Sequence, residues 1–288
     1  MAANTRDIRR RIKSIKNTAQ ITKAMQMVAA AKMRRAQQAA LAGREYAAKL
    51  SQVLADLKER ADTHLHPLLE VREVKHELVL VISTDKGLCG ALNTNLLREV
   101  AKFDAGKTSY ITSGRKGVQY LNRTKRTIVA DFPLLDNFKV SDAKAISKFM
   151  IEKFLSGEFD KISVLYTRFV NTLSQVPTIV TLLPISPGKL DKNEEAAKAH
   201  GLLTDYEYEP APASVLNVVL PQYVHFEVYQ MLLDSRASEQ SARMVAMKNA
   251  TDNAKQLIKD LTLEYNKIRQ AGITTQLLEI ATAQMAIG

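Results

Sequence analysis

Small and apolar residues recur at alternating steps of four and three along the first part of this chain: Ile8, Ile12, Ile15, Ala19, Thr22, Gln26, Ala29, Met33, Ala36, Ala40, Gly43, Ala47, Leu50, Leu54 and Leu57. That 3.5-residue period keeps one stripe of a helix facing a partner helix and implies a left-handed supercoil. From Ala19 to Ala47 the stripe is small, so the partner must approach closely there. The last part of the chain repeats the alternation at Met244, Met247, Thr251, Ala254, Ile258, Leu261, Tyr265 and Ile268. Up to His66 the only helix-weakening residue is Gly43, and residues 222–271 contain neither glycine nor proline. Helices in globular proteins average about a dozen residues. A helix of about 60 residues spans roughly 90 Å at ~1.5 Å per residue. Such a pair reaches into something else or works as a lever.

Between the two helical ends the pattern changes. Apolar runs at Leu78–Ile82, Ser109–Thr112, Thr127–Ala130 and Ile162–Tyr166 predict short strands. Helical patterns at Ala91–Phe103, Lys116–Asn122 and Ala143–Leu155 lie between them. This alternation predicts a layered α/β domain with a largely parallel sheet. Val176–Leu183, bounded by Pro177 and Pro184, reads as an added edge strand. The expected organisation is an N-terminal coiled-coil helix over 1–66, an α/β domain over 77–185, a connection over 186–213 and a C-terminal coiled-coil helix over 214–288. The fold class is thus α/β plus a long α-helical coiled coil. The two ends zip into an antiparallel pair with the α/β domain inserted between them. The C-terminal helix is the longer, so its apolar tip (Ile273, Leu277, Ile280, Met285, Ile287) is expected to protrude.

Composition narrows the partners. The net charge is +11, and it is concentrated: residues 1–60 carry 14 Lys/Arg against 4 Asp/Glu, whereas residues 222–288 carry 7 of each. A basic helix is a solvated face or meets an acidic partner, whether nucleic acid, anionic lipid or protein. One cysteine, Cys89, excludes an internal disulfide framework and fits a reducing compartment. No run is long and apolar enough for a membrane span. The basic, amphipathic N-terminus resembles a transit peptide only superficially, because its pattern continues unchanged to His66.

Catalytic signals are weak. Ala101–Thr108 fits a permissive phosphate-loop pattern, but a helix precedes it and a strand follows, the reverse of the order that aims backbone amides at phosphate. Ser83–Gly90 does follow a strand and precede a helix. Asp85 and Lys86 lie in it without the rest of an acid–base constellation, so it reads as a structural turn that also meets a partner. His64 and His66 lack further metal ligands. No catalytic set, metal or cofactor is expected.

Arg9–Ala30, Ser83–Gly90 with Asn93, Ser238–Ala254 and Asn266–Ala271 together resemble the gamma subunit family of F-type ATP synthases, at both ends and in the middle of the chain. The resemblance implies a Rossmann-like middle domain and an asymmetric coiled coil turning inside a ring of three alpha and three beta subunits. It further implies contact with the epsilon subunit and the membrane rotor ring of c subunits, and a mechanical role without catalysis. By the same resemblance Arg269, Gln270, Thr274 and Glu279 engage beta-subunit catch loops, and Met25 faces that region from the N-terminal helix. Tyr206, Glu207 and Tyr208 meet the rotor ring and epsilon. Gln276 stands where the family usually carries a carboxylate, and Ala281–Met285 replaces a more glycine-rich tail. No inserted cysteine pair suggests redox control of the chloroplast type. With no presequence, the expected location is peripheral, on the cytoplasmic face of a bacterial inner membrane. The competing readings are a stand-alone basic coiled coil that binds nucleic acid and, behind it, a nucleotide enzyme resting on Ala101–Thr108.

Overall fold

The computed structural model describes residues 2–43, 46, 49–50, 53–54, 66–133, 138–185 and 212–287. Its described elements are α1 (Ala2–Ala42), a 3-10 turn (Pro67–Leu69), β1 (Glu77–Ile82), α2 (Leu92–Val100), β2 (Thr108–Ser113), α3 (Arg115–Arg123), β3 (Ile128–Asp131), α4 (Val140–Leu155), β4 (Lys161–Phe169), β5 (Gln175–Leu183) and α5 (Pro212–Ile287). The chain divides into two compact units, one of Met1–Ala30 with Arg243–Gly288 and one of Ala31–Ala242.

The second unit is built on a five-stranded sheet of order β3-β2-β1-β4-β5. β1 pairs parallel with β2 and β4, and β2 pairs parallel with β3. β5 is added antiparallel on β4, at the edge. Pro177 is tolerated there, opposite Thr167, because an edge strand leaves one row of amides outside the ladder. β1 explains why a central parallel strand reads as an unbroken apolar run. Leu78, Leu80 and Ile82 enter a core with Ile146, Met150 and Phe154 of α4 and Leu220, Val224 and Val228 of α5. Val79 and Val81 enter another with Leu96, Val100, Tyr110 and Leu121. The strands and helices expected within 77–185 are all found, displaced by a few residues at their ends; the connection expected over 186–213 lies almost wholly outside the described residues.

Alanine, lysine, arginine, glutamine and methionine dominate α1, and all of them favour helix. α5 runs 76 residues, begins two residues before the expected 214, and passes through Pro221, directly before the stretch 222–271 that has neither glycine nor proline. Pro221 lacks the amide that would bond the Asn217 carbonyl. In the first unit Ile8, Ala29, Met247 and Ala254 are buried. Thr22 meets Thr251, and moving from Thr22 back to Arg9 along α1 moves forward from Thr251 to Tyr265 along α5. The pairing is therefore antiparallel. Every described residue of the two predicted stripes is buried or half-buried; Ala47 and Leu57 lie outside the described residues.

Candidate functional site

The seam of the first unit carries one polar device. Thr22 and Thr251 hydroxyls lie 2.7 Å apart and are both buried. Thr22 is also 3.1 Å from the Ala19 carbonyl, and Thr251 is 2.8 Å from that of Met247. A buried polar pair in an otherwise apolar seam fixes register, since a slip would strand both hydroxyls. Toward the chain ends, the Arg9 guanidinium donates to the Tyr265 hydroxyl at 3.1 Å and sits over its ring at 5.7 Å. Beyond Ile268 the described side chains of α5 are mostly exposed. Leu277 and Leu278 are each 61% exposed, and Met285 is 84% exposed. Such a run of exposed apolar residues marks a surface meant to be covered. Ile287 ends α5, and its side chain lies outside the described ones.

The turn after β1 is held by its own chain. The Asp85 carboxylate accepts from the Arg115 amide at 3.1 Å, capping α3. Asn93 accepts from the Thr84 amide at 3.3 Å and donates to the Thr84 hydroxyl at 2.7 Å, which in turn donates to the Lys86 carbonyl at 2.8 Å. Ser83 receives the Gly117 amide at 2.7 Å. Gly114 has φ 109°, and a Cβ there would collide with the Ser83 carbonyl. These bonds make Asp85 a structural cap, whereas Lys86 and Leu88 are exposed. At Ala101–Thr108 the Asp104 carboxylate takes the Gly106 amide at 2.9 Å, where a phosphate loop would offer that amide to its ligand. The helix ends before this segment and β2 follows it, so the phosphate-loop geometry is absent.

Sequence reasoning missed what Ser238–Ala254 does in the fold. The Ser238 hydroxyl donates to the Thr167 carbonyl and that of Ser241 to Thr172, both at 3.0 Å, fastening α5 to β4 and the β4–β5 turn. The signal was visible: serines spaced three apart, Ser238 and Ser241, share one face of the helix. His225 was also missed. Its Nδ1 lies 2.6 Å from the buried Ser147 hydroxyl, and burial, aided by Lys144, lowers its pKa. His66 is engaged in a 3-10 turn, its Nδ1 accepting from the Leu68 amide at 3.2 Å, and burial lowers its pKa too. Among the described residues no three His, Cys, Asp or Glu are placed to hold a metal, and no helix is long and apolar enough to cross a membrane.

A family model described as ATP synthase matches residues 4–287. The chain is 52% identical to the ATP synthase gamma chain of Methylacidiphilum infernorum, over 99% of this chain and 100% of the relative. It is 48% identical to that of Opitutus terrae, over 99% of each. The chain belongs to the ATP synthase gamma family. Its members are non-catalytic central-stalk subunits of the rotary ATP synthase, a peripheral part of a membrane complex, and this chain is one of them. Among solved structures, the central stalk of the Tetrahymena thermophila mitochondrial ATP synthase matches with TM-score 0.60 and 28% identity, over 80% of this chain and 99% of that one. The Euglena gracilis mitochondrial enzyme gives TM-score 0.69 at 21% identity, over 100% and 95%, and supports the fold. Nothing in these matches supports the nucleic-acid reading.

The gamma-family site residues fall in three places. Arg269, Gln270, Thr274 and Glu279 are exposed on the last turns of α5, and the Thr274 hydroxyl donates to the Gln270 carbonyl at 3.0 Å. Met25 is half-buried one turn from Thr22, at the level of Thr251. Arg269 lies past Tyr265, which pairs with Arg9. The antiparallel register sets Met25 several turns away from Arg269 along the helix pair. Asp85 and Lys86 occupy the turn after β1. Tyr206, Glu207 and Tyr208 lie outside the described residues.

Proposed function

We propose that this chain couples rotation to catalysis through two surfaces of the helix pair in the first unit. The observation that carries this is the C-terminal end of α5, which outruns α1 and exposes Ile273, Leu277, Leu278, Ile280 and Met285. Hydrophobic contact is non-directional. An apolar end can therefore turn in an apolar sleeve, whereas hydrogen bonds would favour one angle. Just below that end, Arg269, Gln270, Thr274 and Glu279 present directional polar groups, suited to gripping successive beta-subunit loops. Met25 contacts the ring at a separate, lower level. The basic residues of α1 face acidic surfaces on three alpha and three beta subunits. Lys86 and the segment with Tyr206, Glu207 and Tyr208 meet epsilon and the c-subunit ring. Asp85 acts there through the shape it gives the turn. The complex sits on the cytoplasmic face of a bacterial inner membrane. Asymmetric contacts of this kind bias each beta subunit among its nucleotide-affinity states, which is how a subunit without chemistry drives chemistry elsewhere.

The test is co-expression with alpha and beta subunits of the same genome, with native mass spectrometry and ATP hydrolysis. One copy of this chain per three alpha and three beta chains is expected. Arg269→Glu should keep that stoichiometry and the chain's helicity while lowering turnover. Wild-type turnover in that variant would overturn the grip at Arg269, and a chain that ignores the ring would overturn the whole assignment.

A further inference from the structure

The β4–β5 hairpin ends in a turn that is held from several sides. The Asn171 side-chain oxygen accepts from the amides of Leu173 and Ser174 at 2.9 and 2.8 Å. The Gln175 side-chain amide donates back to the carbonyls of Asn171 and Thr172 at 3.1 and 3.0 Å. The Ser174 carbonyl takes the backbone amides of Val170 and Asn171. From outside the hairpin, the Ser241 hydroxyl of α5 holds the Thr172 carbonyl at 3.0 Å. The shape of the turn and its place on α5 are both fixed in this way. What they present is Leu173, 84% exposed.

Two exposed valines flank it, Val170 and Val176. Arg168 pairs with Val176, and Val170 lies two residues beyond Arg168, so strand alternation puts both valines on one face of the hairpin. It is the face that Tyr166, two residues before Arg168, turns into the core shared with α5. Val170 and Val176 therefore continue a core-facing surface past the point where the described residues cover it. Apolar side chains gathered on so firmly built a support mark an interface. A partner strand does not suit this hairpin, because Pro177 breaks the row of amides that β5 leaves outside the ladder. The partner packs by side chains.

The position of the turn says what covers it. Ser241 lies two residues before Arg243, where α5 passes into the first unit. In the function proposed above, the helix pair of that unit turns inside a ring of alpha and beta subunits. We propose that the tip of the β4–β5 hairpin is a contact surface for that ring, an apolar knob that packs on an apolar patch of the ring subunits where α5 enters them. The proposal rests on the placement of the helix pair inside the ring. Apolar packing has no donor direction to satisfy, so such a knob slides from one subunit to the next as the stalk turns.

The experiment places photoreactive benzoylphenylalanine at position 173 of the full chain, co-expressed with alpha, beta and epsilon subunits of the same genome. The crosslinked partner is identified by mass spectrometry of the assembled complex. A control carries the same group at position 155. Leu155 is also exposed but ends α4 on the side where β4 begins, and β4 separates the two positions by about 30 Å. Position 173 should crosslink to alpha or beta, and position 155 should not. A V170S/L173S chain supplied beside the wild-type chain should be loaded onto the ring about tenfold less often, as quantified from their peptides, because two apolar side chains leave the interface. The proposal is overturned if position 173 gives no ring crosslink in an assembled complex, or no more than position 155. It is equally overturned by a crosslink confined to epsilon, to residues 186–211 of this chain or to a second copy, or by equal loading of the two chains. A chain that joins no alpha or beta subunit overturns the underlying function and the proposal with it; native mass spectrometry before irradiation tells that failure from the others. Circular dichroism checks the fold of V170S/L173S, and the crosslink from position 173 decides if that variant misfolds.

Discussion

Replacing Thr22 and Thr251 with valine, singly and together, tests whether the seam of the helix pair is pinned by a shared hydroxyl bond. Valine keeps the branched shape and removes only the hydroxyl. Three short oxygen contacts meet at this point: Thr22 with Ala19, Thr251 with Met247, and Thr22 with Thr251. Two hydroxyls supply only two protons, so one of the three contacts is undonated at any moment. Thr22→Val leaves Thr251 its bond to Met247, and Thr251→Val leaves Thr22 its bond to Ala19, so neither orphans a buried group. Each single change therefore loses one neutral hydrogen bond, about 1 kcal/mol. The double change also removes the intrahelical bond that each single variant keeps, but such a threonine back-bond to the preceding turn adds little to helix stability, so the double costs about 1 kcal/mol and not 2. Amide exchange of peptides covering the two positions, followed by mass spectrometry, reads local opening directly. About 1 kcal/mol corresponds to exchange roughly fivefold faster in either single variant, with little more in the double. Multiplicative acceleration in the double variant, or none in the singles, would refute the shared bond.

Acid should weaken the second unit through His225 and His66. Both have pKa values lowered by burial, with Lys144 adding to the effect at His225 and an Asn217 hydrogen bond opposing it at His66. The unfolded chain then binds protons more readily, so the contribution is complete above about pH 6.5 and fades as pH falls below it. Urea titrations at stepwise lower pH should show this, and His225→Gln should flatten the slope; an unchanged slope would remove His225 from the account. Gly114→Ala should cost about 1–3 kcal/mol from backbone strain, and more from the Ser83 clash, seen as a lower denaturation midpoint. Gly43→Ala must push aside the amide end of Gln230 and shift the Phe226 ring slightly, and should cost about 1–2 kcal/mol, whereas the bulkier Gly43→Leu should cost clearly more in the same assay. Lys107→Ala should leave the activity of an assembled complex nearly unchanged, since the segment lacks phosphate-loop geometry; a large loss would reopen that reading.

Periodicity by itself determined the two long helices, their seam, the α/β insertion and the edge strand, because each rests on residues near one another in sequence. A 3.5-residue stripe needs a partner whatever that partner is, and a run such as Leu78–Ile82 must be covered on both faces. The exposed end of α5 followed from the same count, since α5 continues past the point where α1 begins. Tertiary structure alone decided which turns of the two helices meet. The Thr22–Thr251 and Arg9–Tyr265 contacts fixed that register and set Met25 several turns from Arg269. Only the fold made Asp85 the cap of α3, set Ser238 and Ser241 against β4 and the β4–β5 turn, and buried His225 on Ser147. It alone left Leu173 exposed at the apex of that turn. Contacts between residues far apart in the chain depend on how layers stack, and a heptad pattern is satisfied equally well by pairings slipped by one repeat.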